Sequence, residues 1–317
     1  MPRLVFVHGI GGPRNVDVER KRWISALATG ARQAGHSGSA ASLVDGSLAD
    51  VVFAHYAELF LHPHSQGPGS TDLDKIEADL LTDLLAEVVE THRLLPDDPA
   101  DARIENALMQ LRPTGEAEGA GDLVRRAINV ATTLLGAAPW GRSGQWAGGK
   151  LLVRDLAQVA RYLARGEPDQ DRHTLDARIR NVLADALGRG PTVVVAHSLG
   201  TIVSFETLHD YPNAVPLWVT LGSPLAMRAV VWPKVRPRPP ATPANVKRWL
   251  NYWDRDDIIV PRPILESDLS ANATGVLPES TRVDSDGVWV HTATKYLAKA
   301  DVAGPVMEAL QALKRAT

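Results

Sequence analysis

A serine framed by small residues stands where an apolar run meets a helix signal, in Val193-Val194-Val195-Ala196-His197-Ser198-Leu199-Gly200-Thr201. A nucleophile at the end of a strand must stand clear of the sheet on a strained turn. Only small residues fit two positions to either side of it. Ala196 takes the place of the first glycine in G-x-S-x-G and adds a single methyl group. The spacing makes Ser198 the candidate nucleophile. The backbone N–H of Leu199 becomes one donor to a developing oxyanion, and the helix that leaves at Gly200 adds a favourable dipole. A second segment, Phe6-Val7-His8-Gly9-Ile10-Gly11-Gly12, also ends an apolar run in glycine. Its close backbone approach makes the Ile10 N–H the second oxyanion donor, with His8, Gly9 and Gly200 as the supporting turns. Dinucleotide binding by this segment fails on spacing. Arg14 stands where G-x-G-x-x-G requires its third glycine, and Pro13 where a helix should start.

A serine needs a base and an orienting acid. After Ser198 the histidines are His209 and His291. His209 lies about 15 Å along the helix that follows the serine and points away. His291 follows an expected last strand, Gly287 to Val290, at the end where ligands meet open α/β sheets, and is the candidate base. For the acid, the strand ending at Trp253 runs into Asp254-Arg255-Asp256-Asp257-Ile258-Ile259-Val260-Pro261. Asp257 is favoured over Asp254 and Asp256 because the apolar residues after it can anchor and desolvate the turn. The chain order is then Ser198, Asp257, His291.

Those residues must be positioned by a sheet. Leu4–Val7, Thr192–Val195 and Leu217–Leu221 each lead into a glycine turn, and Val51–Ala54, Val246–Trp253 and Arg282–Val290 complete the apolar runs. Continuous apolar strands separated by helices predict a mostly parallel sheet covered on both faces. Helices are expected near 18–34, 174–188, 200–210 and 293–315. The stretch from Gly9 to Ser198 exceeds what strand, helix, strand, helix, strand require by about 100 residues. That surplus reads as a helical cap over residues 61–150, inserted into a core of residues 1–60 and 151–317. One cap helix starts at Thr71 and ends at Leu95-Pro96, and a second, amphipathic one starts at Asp122. Pro113–Gly121 and Gly141–Gly149 are expected as flexible breaks. The apolar face of the second helix (Val124, Ala127, Ile128 and Ala131 among others) reads as ordinary packing, with a lid in transient contact with a lipid surface as the alternative.

Composition narrows the classes. The chain has 317 residues, with 34 Lys+Arg against 37 Asp+Glu for a formal net charge of -3. That balance gives no basic footprint for nucleic acid. With no cysteine, a disulfide scaffold, a thiolate zinc site and a cysteine nucleophile are all excluded. No apolar run reaches the roughly 20 residues that span a bilayer. Arg3–Val7 reads as a core strand rather than a signal peptide, so a cytoplasmic location is expected. Gly144–Leu151 matches most of a phosphate-binding G-x-x-x-x-G-K, yet Leu151 replaces the Ser/Thr and no strand precedes it. His62 and His64 lack a third metal ligand, and Pro233–Pro243 reads as a stiff loop near the mouth of the site.

Taken together, Ala-His-Ser-Leu-Gly-Thr, the upstream strand–His-Gly, the Asp-x-x-Val-Pro turn, Gly222-Ser223-Pro224 and a late histidine resemble the α/β-hydrolase superfamily, specifically its bacterial esterase/lipase-like serine hydrolases. The resemblance covers residues 3–60 and about 150–315. It implies an α/β-hydrolase fold that opens at the family's third strand, with no metal and no cofactor. It further implies hydrolysis of carboxylic esters with a hydrophobic acyl group through an acyl-serine intermediate, a small-molecule acyl substrate being the partner. Acyltransferase, thioesterase and amidase chemistry use the same residues, and a ligand-binding protein without turnover is the alternative from another class.

Overall fold

The computed structural model describes residues 1–11, 15–61, 73–93, 105–106, 109, 111, 120–137, 145–166, 168, 172–257, 259–285 and 290–316. Six strands form one sheet: β1 (Arg3–Val7), β2 (Asp50–Ala54), β3 (Thr192–His197), β4 (Trp218–Leu221), β5 (Trp249–Trp253) and β6 (Pro278–Arg282). Their order is β2-β1-β3-β4-β5-β6 and every pairing is parallel. The helices are α1 (Val16–Gln33), α2 (Ser37–Val44), α3 (Lys75–Arg93), α4 (Ala120–Ala137), α5 (Gln145–Ala164) and α6 (Leu175–Leu187), followed by α7 (Leu199–Asp210), α8 (Val231–Lys234), α9 (Ala293–Leu297) and α10 (Ala300–Ala316).

Alternation along the strands divides the core between the two faces of the sheet. Leu4, Phe6, Val193 and Val195 pack with α1, α2 and α10. Val5, Val7, Val194 and Ala196 pack with α3 to α7. All six residues of β3 are buried, which explains why its sequence is a continuous apolar run rather than an alternating one. The α1 helix starts where the Asn15 side chain accepts the Val18 N–H, an ordinary N-cap.

From β1 the chain moves outward to β2, then returns across to β3 on the other side of β1. That reversal opens a crevice at the C-terminal ends of β1 and β3, the place where open parallel sheets receive ligands. In between, α3, α4 and α5 pack on one another and extend the core on one face. Polar contacts tie this helical unit to the sheet layer. Glu87 accepts the N–H groups of Arg228 and Ala229, and Arg161 donates to the Phe60 carbonyl and to Glu77. A buried network, in which Tyr162 and Arg165 both meet Glu206 of α7, makes a third tie.

Several expectations are corrected. The α5 helix runs through the boundary expected at 150/151 and belongs with α3 and α4 by its packing. Residues 145–149 are helical rather than a break, and Gly141 to Gly144 lie outside the described residues, as do 113–119 of the first break, whose last two residues open α4. Among the described residues the last strand is Pro278–Arg282, and 283–285 of the expected Arg282–Val290 lie outside it; residues 286–289 lie outside the described residues. The single helix expected at 293–315 is two, since Ala298 N–H closes the first on Thr294 while Val302 and Ala303 both turn to the Lys299 carbonyl. On the face of α4 weighed for lipid contact, Val124, Ala127 and Ala131 are buried in the core, and Leu123 and Ile128 pack against it. Among the described residues, no helix is long and apolar enough to cross a membrane.

Candidate active site

Parallel pairing brings the ends of β1, β3, β4 and β5 to one edge of the sheet, and with them His8, Ser198, Gly222 and the Asp254–Asp257 turn. Ser198 takes φ 54° and ψ -127° between β3 and α7. A side chain in that region carries strain of order 1–3 kcal/mol and persists only where the surroundings hold it. Here two glycines do so. A Cβ on Gly200 would lie 2.5 Å from the carbonyl oxygens of Val7 and His8, and one on Gly9 would lie 2.5 Å from Ser198 Cβ. Thr201 completes the turn, its hydroxyl donating to the Ser198 carbonyl at 2.7 Å and meeting Ser223 Oγ at 2.8 Å.

Three expected residues meet in one hydrogen-bonded series. His291 Nε2 is 2.8 Å from Ser198 Oγ, and His291 Nδ1 is 2.7 Å from Asp257 Oδ2. The only neutral tautomer that serves both contacts carries its proton on Nδ1 and accepts the serine hydroxyl at Nε2. Burial opposes the imidazolium of His291, but the charge and hydrogen bond of Asp257 more than offset it, so its pKa is raised above 6.5. Asp257 is buried, and its Oδ1 accepts the Ile259 N–H, so the apolar turn does anchor it. Asp254 is spent elsewhere, accepting the N–H groups of Asp256 and Ser285. Asp256 is half exposed beside Arg255. His291 occupies the segment before α9 rather than a strand end, with Thr292 as the helix cap. His209 sits far down α7 against Phe205, where burial lowers its pKa.

Gly222 sets the fit of base and acid. At φ +54° it leaves a gap in which a Cβ would stand 2.8 Å from Asp257 Oδ2 and 3.2 Å from His291 Nδ1. Its Gly-Ser-Pro sequence therefore serves two contacts: the glycine admits the pair and Ser223 braces Thr201.

The two backbone N–H groups expected to receive an oxyanion lie at the ends of β1 and β3. Leu199 is buried as the first residue of α7, where a helix leaves its N–H groups without an intrahelical acceptor. Ile10 is half-buried on the core. His8 Nε2 accepts the Tyr56 N–H at 3.2 Å, so Nδ1 carries the proton that the Gly9 carbonyl receives at 2.5 Å. Its ring stacks on Tyr56 and Phe53. Because the Gly9 carbonyl and the Ile10 N–H share one planar peptide, holding the carbonyl fixes the opposite direction of the N–H.

A cavity of about 230 Å³ opens beside this edge, with Gly9, Ile10 and His291 in its wall. Arg22, Arg154, Asp155 and His55 face it from α1, α5 and the end of β2. Arg22 pairs with Glu19 at 2.8 Å and Arg154 with Asp155 at 3.4 Å, so the wall is polar and close to charge-balanced. Among the described residues no cluster of His, Asp and Glu could hold a metal; His62 and His64 lie outside them.

Sequence reasoning missed three participants. Tyr296 donates to Asp257, Gln158 bonds the Gly11 backbone, and Tyr56 holds His8. Tyr296 follows His291 by five residues, which was the available signal; the other two come from distant segments and gave none. No family model, no curated protein and no solved structure matches this chain.

Proposed function

We propose that the protein is a serine hydrolase that cleaves carboxylic esters through an acyl-Ser198 intermediate. The observation that carries this reading is the hydrogen-bonded series Ser198–His291–Asp257 at the end of β3, on a turn held in a strained conformation by two glycines. His291 Nε2 takes the hydroxyl proton as Ser198 Oγ attacks the ester carbonyl. Asp257 stabilises the imidazolium that forms and holds its tautomer. The N–H groups of Leu199 and Ile10 receive the negative charge of the tetrahedral intermediate. The imidazolium then protonates the leaving alkoxide. In the second half water attacks the acyl carbonyl, His291 takes its proton, and Ser198 departs with that proton returned. The helical unit α3–α5 acts as a cap over the site, and the polar wall of the cavity favours a substrate with a hydrogen-bonding group near the scissile bond.

A fluorophosphonate probe with peptide mapping tests the nucleophile: label on Ser198 in the wild type and none in Ser198→Ala supports the reading. A folded protein that takes no label at Ser198 refutes it. A panel of p-nitrophenyl esters, alkyl chains of graded length beside hydroxylated and carboxylated acyl groups, then ranks apolar against polar substrates.

A further inference from the structure

The α5 helix carries a row at helical spacing, Arg154, Gln158 and Tyr162, that reaches toward the sheet layer. Arg154 lines the cavity beside His291, and Tyr162 donates to Glu206 on the helix that Ser198 starts, at 2.6 Å. Between them Gln158, buried, makes two reciprocal bonds with one residue of the β1 loop. Its Oε1 accepts the Gly11 N–H at 3.0 Å and its Nε2 donates to the Gly11 carbonyl at 3.2 Å. A side-chain amide that satisfies both backbone groups of a single residue reproduces one rung of a sheet. It restrains that residue's position and orientation together. Gly11 needs this restraint, because its φ of 146° lies where glycine has most freedom.

Gly11 directly follows Ile10, whose N–H is the oxyanion donor of the proposed mechanism. His8 holds the Gly9–Ile10 peptide from the sheet side. We infer that Gln158 is a positioning residue that holds the other side of this loop, so that the oxyanion site is complete only while α5 is docked on the sheet. This rests on the serine-hydrolase reading, and it gives the helical unit a part in rate as well as in substrate selection. A donor must be held within a few tenths of an ångström of where the oxyanion forms, and loss of one such donor costs about 10²–10³ in kcat. Loosening a donor without deleting it is expected to cost less, about 10- to 100-fold.

The test uses the whole chain and the best ester of the panel above. Gln158→Leu removes both bonds at similar size, and Gln158→Glu keeps the acceptor for the Gly11 N–H while losing the donor. Expected are a fall in kcat of about 10- to 100-fold for Gln158→Leu with KM within about twofold, and a smaller fall for Gln158→Glu. Affinity for phenylboronic acid, which forms a tetrahedral adduct on the serine, should fall in parallel, while inhibition by the product carboxylate stays unchanged. A purely structural role would leave that ratio of affinities at its wild-type value. Wild-type kcat and boronate affinity in folded Gln158→Leu overturn the inference, as does faster turnover, which would make the contact a restraint on opening. If Gln158→Leu does not fold, Gln158→Glu decides by the same ratio. Absence of label on wild-type Ser198 would instead refute the serine-hydrolase reading itself, so the two failures are distinct.

Discussion

The Tyr296 hydroxyl lies 2.7 Å from Asp257 Oδ2, the same oxygen that meets His291 Nδ1. The Asp254 N–H donates to that hydroxyl at 3.1 Å, so its own proton is free to go to the carboxylate. Burial and the nearby Asp257 charge hold the Tyr296 pKa well above 10, and the group remains a donor throughout the working range of pH. The carboxylate thus divides its charge between an imidazole and a phenol.

Tyr296→Phe should change both basicity and stability. With the phenol gone, Asp257 concentrates on His291, the imidazolium is favoured further, and the acid limb of kcat/KM should move to higher pH. The Asp254 N–H is left without its acceptor, a loss of about 1–3 kcal/mol. A pH–rate profile and a urea titration check the two effects; an unmoved acid limb would show that the phenol does not share the charge.

In the wild type, the acid limb should have its midpoint above 6.5. The base must be neutral to accept the serine proton, and the Asp257 interaction raises the pKa of His291 despite burial. The same shift has a stability consequence of known sign. A pKa higher in the folded than in the unfolded state contributes stability that is full below about 6.5 and is lost as pH rises through the folded value. A limb at or below 6.5 would contradict the pairing.

Asp257→Asn should lower kcat by about 10³–10⁴-fold, because an amide favours the wrong imidazole tautomer. It should also cost stability, because the buried carboxylate accepts from both Ile259 and Tyr296. Asp256→Asn should be near neutral, since Asp256 is half exposed. Asp254→Asn should lower stability instead, as an amide nitrogen turned toward the Ser285 or Asp256 N–H cannot accept from it. Steady-state kinetics beside denaturant titrations separate the three; strong loss of kcat in Asp256→Asn would move the acid by one residue.

Gly222→Ala should damage turnover more than folding. The added methyl would stand 2.8 Å from Asp257 Oδ2 and at φ +54°, so base and acid must part to admit it. A fall in kcat of at least about 100-fold is expected, set against about 1–3 kcal/mol of overpacking. Crystallography of the variant, or a kcat near wild type, decides whether the pair is displaced.

The clasp at Glu206 belongs to stability. Arg165 bonds Glu206 and Asp176 at 2.7–2.8 Å with both carboxylates almost fully buried. Glu206→Ala leaves Arg165 and the Tyr162 hydroxyl short of a partner, and should cost about 3–5 kcal/mol in a denaturant titration. Fluorophosphonate labelling of Ser198 in the folded fraction should persist, since Glu206 lies two turns down α7.

The local arrangement of Ser198, Asp257 and His291 was legible in the sequence. The strands around Ser198 and His8 could be read because a strand buried on both faces must be apolar throughout, and a strained turn must be flanked by small residues. Asp257 could be picked from three aspartates because its neighbours are apolar, and a turn that buries its carboxylate needs an apolar anchor. The strand β6, Pro-Glu-Ser-Thr-Arg, was not foreseen because it lacks strand composition. An edge strand with one neighbour need not be apolar, so composition alone does not mark it. The helix α2 was missed for a similar reason, as Ser37–Val44 is short and small-residue-rich, and its place is set by packing on α1. Only the tertiary structure could bring Gln158 to Gly11, Tyr56 to His8 and Arg165 to Glu206, because those partners are 41 to 147 positions apart. Periodicity tells which face of a helix is buried; it carries no information about which backbone group that face will meet.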